Sequence, residues 1–193
     1  MRNRMGAAFF PKTPHTIRLG QDLRDMKELK KNSTVLDFEA EGDPPSKYTI
    51  TFNGNSLVPD GPGKVVVGGP QKIQLTMGPM YPVERPHIEW LTPIIHPNIS
   101  GHSVCLGNYA SAWTPHFRLV DLVAMLWDYA RMWTLNPEGG YRAQYDNRQW
   151  EQMRRHFKFP VDPRPIADKL EETSSGPRVA PCGGEDIVFM SDE

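Results

Sequence analysis

Cysteine is almost missing from this chain: 193 residues hold only two, Cys105 and Cys182. Two cysteines so far apart give no disulfide framework, and a reactive thiol needs a reducing compartment, so a cytoplasmic protein is expected. Long apolar runs are missing as well. The stretch Met5–Phe10, behind a basic N-terminus, is too short for a signal-peptide core and far too short to span a bilayer, so no membrane partner is expected. Net charge is close to absent at −1, a composition with no polyanion-binding character, and nucleic acid is not expected as a partner. No internal repeat is evident. The length suits one domain of about 150 residues with appendages.

What charge there is lies unevenly. Residues 1–31 hold eight Lys or Arg against three Asp or Glu, a local balance of +5 that leaves −6 for the rest. From Thr16 to Lys31 the apolar residues Leu19, Leu23 and Met26 recur at i, i+4 and i+7, with Arg18, Asp22, Arg24, Asp25, Glu28 and Lys31 on other faces. An amphipathic first helix follows, whose basic run reads either as a solvated face or as a docking surface for an acidic partner. Alternating stretches come next: Leu36 and Phe38, then Tyr48, Ile50 and Phe52 before Asn53-Gly54, then Val65–Val67, Ile73 and Leu75, and Ile88 and Trp90. Their connections are too short for parallel crossovers, so they predict an antiparallel meander of about four strands.

Pro79, Pro82, Pro86, Pro93 and Pro97 keep the following stretch extended and non-helical. The run Leu119–Trp127 is apolar on more than one face, as a helix packed centrally on a sheet would be. Asn136-Pro137-Glu138-Gly139-Gly140 stops it, and Tyr145, Gln149 or Trp150, Met153 and Phe157 mark a last helix ending near Phe159-Pro160. Prolines, Ser174-Ser175-Gly176 and an acidic end then predict an extended tail, whose Asp186–Met190 reads as a flexible terminus or a short docking peptide. The expected organisation is therefore an N-terminal extension (1–15), one α+β domain (16–160) and a tail (161–193).

Chemistry concentrates on Cys105. It sits in His96-Pro97-Asn98-Ile99-Ser100-Gly101-His102-Ser103-Val104-Cys105-Leu106, where Pro97, Asn98 and Gly101 predict turns and put the thiol on a loop. A thiol used for acyl transfer must be reached in turn by an acyl donor and an acceptor amine, and a loop on a rigid scaffold permits both.

These elements and motifs, in this order, resemble the ubiquitin-conjugating (E2) family over residues 16–160. Tyr48–Gly54 is similar to the family's second strand and turn, Tyr81-Pro82-Val83-Glu84-Arg85-Pro86 to its YPxxxP motif, and Leu91–Asn98 to its LTPxxxHPN signature. Cys105-Leu106, Trp113 and Asn136-Pro137 also fall where the family has them. The resemblance implies the UBC-like fold: N-terminal helix, four-stranded antiparallel meander, active-site Cys loop, central helix and C-terminal helix. It implies a cysteine thioester intermediate at Cys105, charged with ubiquitin or a ubiquitin-like protein by an E1-like activating enzyme and discharged to a target lysine. No cofactor or metal is implied. Asn98 would be the family's HPN asparagine, stabilising an oxyanion or holding the loop, and His96 would shape the same turn. Trp113 is assigned to packing. Arg24, Lys27, Lys30 and Lys31 would meet the E1.

Departures from the family pattern carry information too. The Asn98–Cys105 spacing is one residue shorter than in the common form, and Gly107-Asn108 follow where an acid is frequent. Glu138 is the substitute for an aspartate that the family often places after Asn-Pro. His102 reads as a base or a promoter of thiolate, or as an ordinary exposed histidine. Val83 and Thr114-Pro115-His116 replace the residues with which family members meet RING-type ligases, so a conventional RING partner is not expected. Such divergence resembles bacterial E2-like proteins encoded beside a ubiquitin-like protein, an E1-like enzyme and a JAB-type peptidase, some of which act in antiphage defence. The competing readings are a non-catalytic E2-variant module, a zinc site from His96, His102, Cys105 and His116, and a redox thiol.

Overall fold

A capping box starts the first helix two residues ahead of the position its apolar period predicts. In the computed structural model, which describes residues 13–134, 147–171 and 187–188, α1 runs Pro14–Lys31 behind Thr13. The Thr13 hydroxyl accepts the Thr16 N–H at 3.2 Å, the Thr16 hydroxyl accepts the Thr13 N–H at 2.9 Å, and Pro14 begins the helix with its φ already set. Leu19 and Met26 are buried as expected, and Leu23 is half-buried. Asp22, assigned to another face, turns inward to 1% exposure. A buried carboxylate needs partners, and this one has the Tyr81 hydroxyl at 2.6 Å and Arg18 Nε at 3.0 Å. Burial raises its pKa, against the pull of those two hydrogen bonds.

Strands β1 (Leu36–Gly42) and β2 (Pro45–Phe52) pair antiparallel, Phe38 opposite Ile50. The chain then makes a hairpin, β3 (Ser56–Pro59) and β4 (Lys64–Gly68), before β5 (Gln71–Thr76) returns to β2 and β6 (His87–Trp90) joins β5. The main sheet has the order β1-β2-β5-β6. Its inner face carries Tyr48, Ile50, Phe52, Ile73, Leu75, Ile88 and Trp90, all buried. Val65–Val67, read from sequence as one more strand of the meander, belongs to the side hairpin instead. The hairpin is diverted at Gly54, where a Cβ would lie 2.3 Å from the Trp127 ring and 2.7 Å from the Asp162 carboxylate. Leu57 and Val65 bury in a second apolar cluster with Ile95, Met132, Trp150, Met153 and Phe157.

After β6 come a short hairpin, β7 (Ile99–Ser100) with β8 (Ser103–Val104), a single turn of helix α2 (Asn108–Ser111), and the central helix α3 (Leu119–Ala130). Leu119, Leu122, Val123, Leu126 and Trp127 of α3 have no exposed surface, which explains its lack of a polar stripe. The last long helix, α4 (Asn147–His156), contributes Trp150 and Met153 to the second cluster. This is the α+β order the sequence predicts.

The boundary at residue 160 needs correction. Residues 161–171, expected as tail, are bound to the body by buried carboxylates. Asp162 accepts from the Asn55 N–H at 3.0 Å and from Arg164, and Asp168 accepts from the Thr34 N–H at 2.7 Å. The Trp127 indole N–H donates to the Arg164 carbonyl at 2.8 Å, and α5 (Asp168–Glu171) closes the segment. Farther on, Ile187–Val188 (β9) pairs with Val65 and Lys64 at the open edge of β4.

Candidate active site around Cys105

The HPN stretch is a buried wall. Ile94 through Ile99 are all buried, His96 with no exposed surface and Asn98 with 1%. The Asn98 N–H donates to His96 Nδ1 at 3.0 Å, which fixes the remaining ring proton on Nε2. Burial pushes the His96 pKa down to about 3, with the Thr134 backbone opposing the shift, although Nε2 makes no hydrogen bond of good geometry. The ring is enclosed, and its lowered pKa keeps it neutral at physiological pH.

Next comes a tight hairpin, β7 with β8. Ile99 faces Val104 and Ser100 faces Ser103 across a two-residue turn, Gly101-His102. Gly101 takes φ 55°, the left-handed value that a type II′ turn demands of its first residue. His102 is exposed, yet it is tied to β6: its Nδ1–H donates to the Trp90 carbonyl at 2.7 Å while its own carbonyl accepts the Trp90 N–H at 2.9 Å. That arrangement leaves Nε2 as the basic nitrogen.

Cys105 follows β8 at intermediate exposure. Its N–H donates to the Asn98 carbonyl at 2.8 Å, so the wall and the thiol are one hydrogen bond apart. Its carbonyl accepts from the Tyr129 hydroxyl at 3.4 Å. The Tyr129 ring lies stacked on His96, centroids 4.9 Å apart and planes 22° apart. Burial, and then the neighbouring Cys105, push the Tyr129 phenol up, which keeps it protonated. Sequence reasoning missed this residue. The only signal available was a hydroxyl-bearing aromatic close to the end of the central apolar helix.

Downstream, Trp113 packs as assigned. Its indole N–H donates to the Pro82 carbonyl at 3.0 Å, and it stacks on Phe117 at 5.7 Å. Arg18 donates to the carbonyls of Pro115 and Phe117, joining α1 to this crossover. Arg24, Lys27 and Lys31 share one exposed stripe of α1, whereas Lys30 is diverted to Asp37 and lies 5.5 Å from the Phe38 ring. Glu138, with Asn136-Pro137, lies outside the described residues, as does Cys182. Among the described residues no group of three or more His, Cys, Asp or Glu side chains is gathered as a metal ion would require.

Known proteins with the same features are recognisable at this point. The family model for ubiquitin-conjugating enzymes matches residues 18–162. Ubiquitin-conjugating enzyme E2 5 of Arabidopsis thaliana is 28% identical over 101 residues, 51% of this chain and 51% of that protein. Ubiquitin-conjugating enzyme E2 PEX4 of Gibberella zeae is 31% identical over 102 residues, 52% of this chain and 55% of that protein. The chain thus spans about half the length of these curated relatives. The structure of Ubc12 from S. cerevisiae matches in fold with a TM-score of 0.52 at 19% identity, over 90% of this chain and 83% of that one. On the family match and the fold together, this chain belongs to the ubiquitin-conjugating enzyme family.

Proposed function

We propose that the chain carries ubiquitin or a ubiquitin-like protein as a thioester on Cys105 and passes it to a lysine. The Cys105 thiolate attacks the carbonyl of the E1-bound thioester and the E1 thiolate leaves; an amine then attacks the new thioester, Cys105 leaves as thiolate, and the amine gives up a proton. The observation that carries this reading is a half-exposed thiol whose residue is held through both its N–H and its carbonyl. Asn98, buried and bonded through its main chain to His96 and Cys105, is read as the residue that holds the loop. His102 and Glu138 are the candidates for handling the amine proton. Arg24, Lys27 and Lys31 form the stripe offered to the E1.

The departures at Val83, Gly107-Asn108 and Thr114-Pro115-His116 support a bacterial conjugation system without a conventional RING ligase, in a cytoplasmic setting and with an antiphage role. The neighbouring genes test that setting. Among the described residues no helix is long and apolar enough to cross a membrane.

The deciding experiment is incubation with an E1, ATP and ubiquitin or the ubiquitin-like protein, followed by gels with and without reducing agent. An adduct that thiols remove, and that Cys105→Ala abolishes, is expected. An adduct that survives Cys105→Ala and vanishes on Cys182→Ala would overturn the assignment, and no adduct at all would favour a non-catalytic module.

A further inference from the structure

Four residues close a ring through the main chain of the thiol-bearing residue. The Tyr129 hydroxyl donates to the Cys105 carbonyl at 3.4 Å, the Tyr129 ring lies on His96 at 4.9 Å, His96 Nδ1 accepts the Asn98 N–H at 3.0 Å, and the Asn98 carbonyl accepts the Cys105 N–H at 2.8 Å. We propose that Tyr129 is a positioning residue for acyl transfer at Cys105: its ring fixes the wall upstream of the thiol, and its hydroxyl fixes the carbonyl just downstream. One helix thereby sets both sides of the nucleophile. The catalytic half of this inference rests on the thioester reading above.

The thiol hangs one carbon from a Cα set between two hydrogen-bonded peptide groups, so small shifts in those groups move Sγ directly. Misplacing a reacting atom by an ångström can cost about a hundredfold in rate. A leucine here could neither stack on His96 nor reach the Cys105 carbonyl with a donor. The helix itself is a firm base, since Leu122, Leu126 and Trp127 have no exposed surface. At 3.4 Å the hydroxyl contact is long for an O–H···O bond, and such bonds commonly tighten once substrate is seated. The phenol is the donor in this bond, because a carbonyl oxygen can only accept.

The test uses the full chain with Cys182→Ser, as the parent and with Tyr129→Phe, which keeps the stack, or Tyr129→Leu, which loses both contacts. The first readout, amide hydrogen exchange over residues 98–106, needs no modifier. Tyr129→Phe should speed exchange by about three- to tenfold, the weight of one hydrogen bond, while α3 stays protected. The second is single-turnover discharge of the ubiquitin thioester to free lysine: the maximal rate should fall by a similar three- to tenfold, the half-saturating lysine concentration should stay unchanged, and Tyr129→Leu should do worse on both readouts. Alkylation by iodoacetamide, a reagent too small to depend on loop aim, should proceed equally in all three proteins. Unchanged exchange in Tyr129→Phe would overturn the ring, and faster exchange with an unchanged maximal rate would overturn its catalytic role. A parent protein that forms no thioester signals failure of the E2 reading alone, and exchange still decides the ring.

Discussion

The two flanks of Cys105 are built in opposite ways. Upstream, residues 94–99 are buried to the last side chain and joined to α3 through the His96–Tyr129 stack. Downstream, residues 107–118 are mostly exposed, with Tyr109, Trp113 and Phe117 half-buried as the apolar anchor: Trp113 stacks on Phe117, and Tyr109 meets Phe117 at a tilt. One flank is a buried wall; the other is an open rim. Burial and access are divided between the two sides of Cys105.

The largest effect should come from breaking the wall. His96→Ala removes a stacked, fully buried ring and the acceptor of the Asn98 N–H, and should lower stability by about 2–3 kcal/mol in denaturant titration. The same ring makes the wall pH-sensitive. It titrates near 3 when folded and near 6.5 when unfolded, so between those values the unfolded chain binds the extra proton. Its stabilising share is complete above the upper value and declines as pH falls toward the lower one, by up to about 1.4 kcal/mol per pH unit. His96→Gln should therefore show a shallower acid limb; an unchanged limb would mean that the ring is not held neutral.

On the rim, Trp113→Ala loses its stack and the bond to Pro82 but leaves little enclosed cavity, and should cost about 1–2 kcal/mol. A loss equal to that of His96→Ala would erase the contrast between the flanks. Reversing Arg24 and Lys27 to Glu should slow loading from the E1 by about tenfold and flatten its dependence on salt, with thermal stability unchanged. Smallest of all, His102→Gln should change discharge by about threefold or less near neutral pH, since one exposed ring can supply only part of the proton transfer. A loss above about a hundredfold would make His102 the principal base.

Part of this was legible in the sequence. Prolines kept the approach to Cys105 non-helical, Pro97 and Asn98 marked a turn, and the alternating strands gave the sheet; the burial of residues 94–99 was not legible. What escaped depended on partners distant along the chain. Asp22 looks like any helix-surface acid until Tyr81 and Arg18 are placed around it. Val65–Val67 has the same pattern whichever sheet it joins. Tyr129 lies beyond the apolar run that identified its helix, and nothing local shows that His96 and Cys105 sit against it. The prolines after residue 160 gave no sign that Asp162 and Asp168 would bind residues 161–171 to the body.

That last stretch decides where the chain can be cut. A chain stopped at Pro160 would strip acceptors from the Trp127 indole N–H and from the amides of Asn55 and Thr34, and would uncover the flank of the helix that carries Tyr129. A chain cut after Glu171 keeps all three of these acceptors.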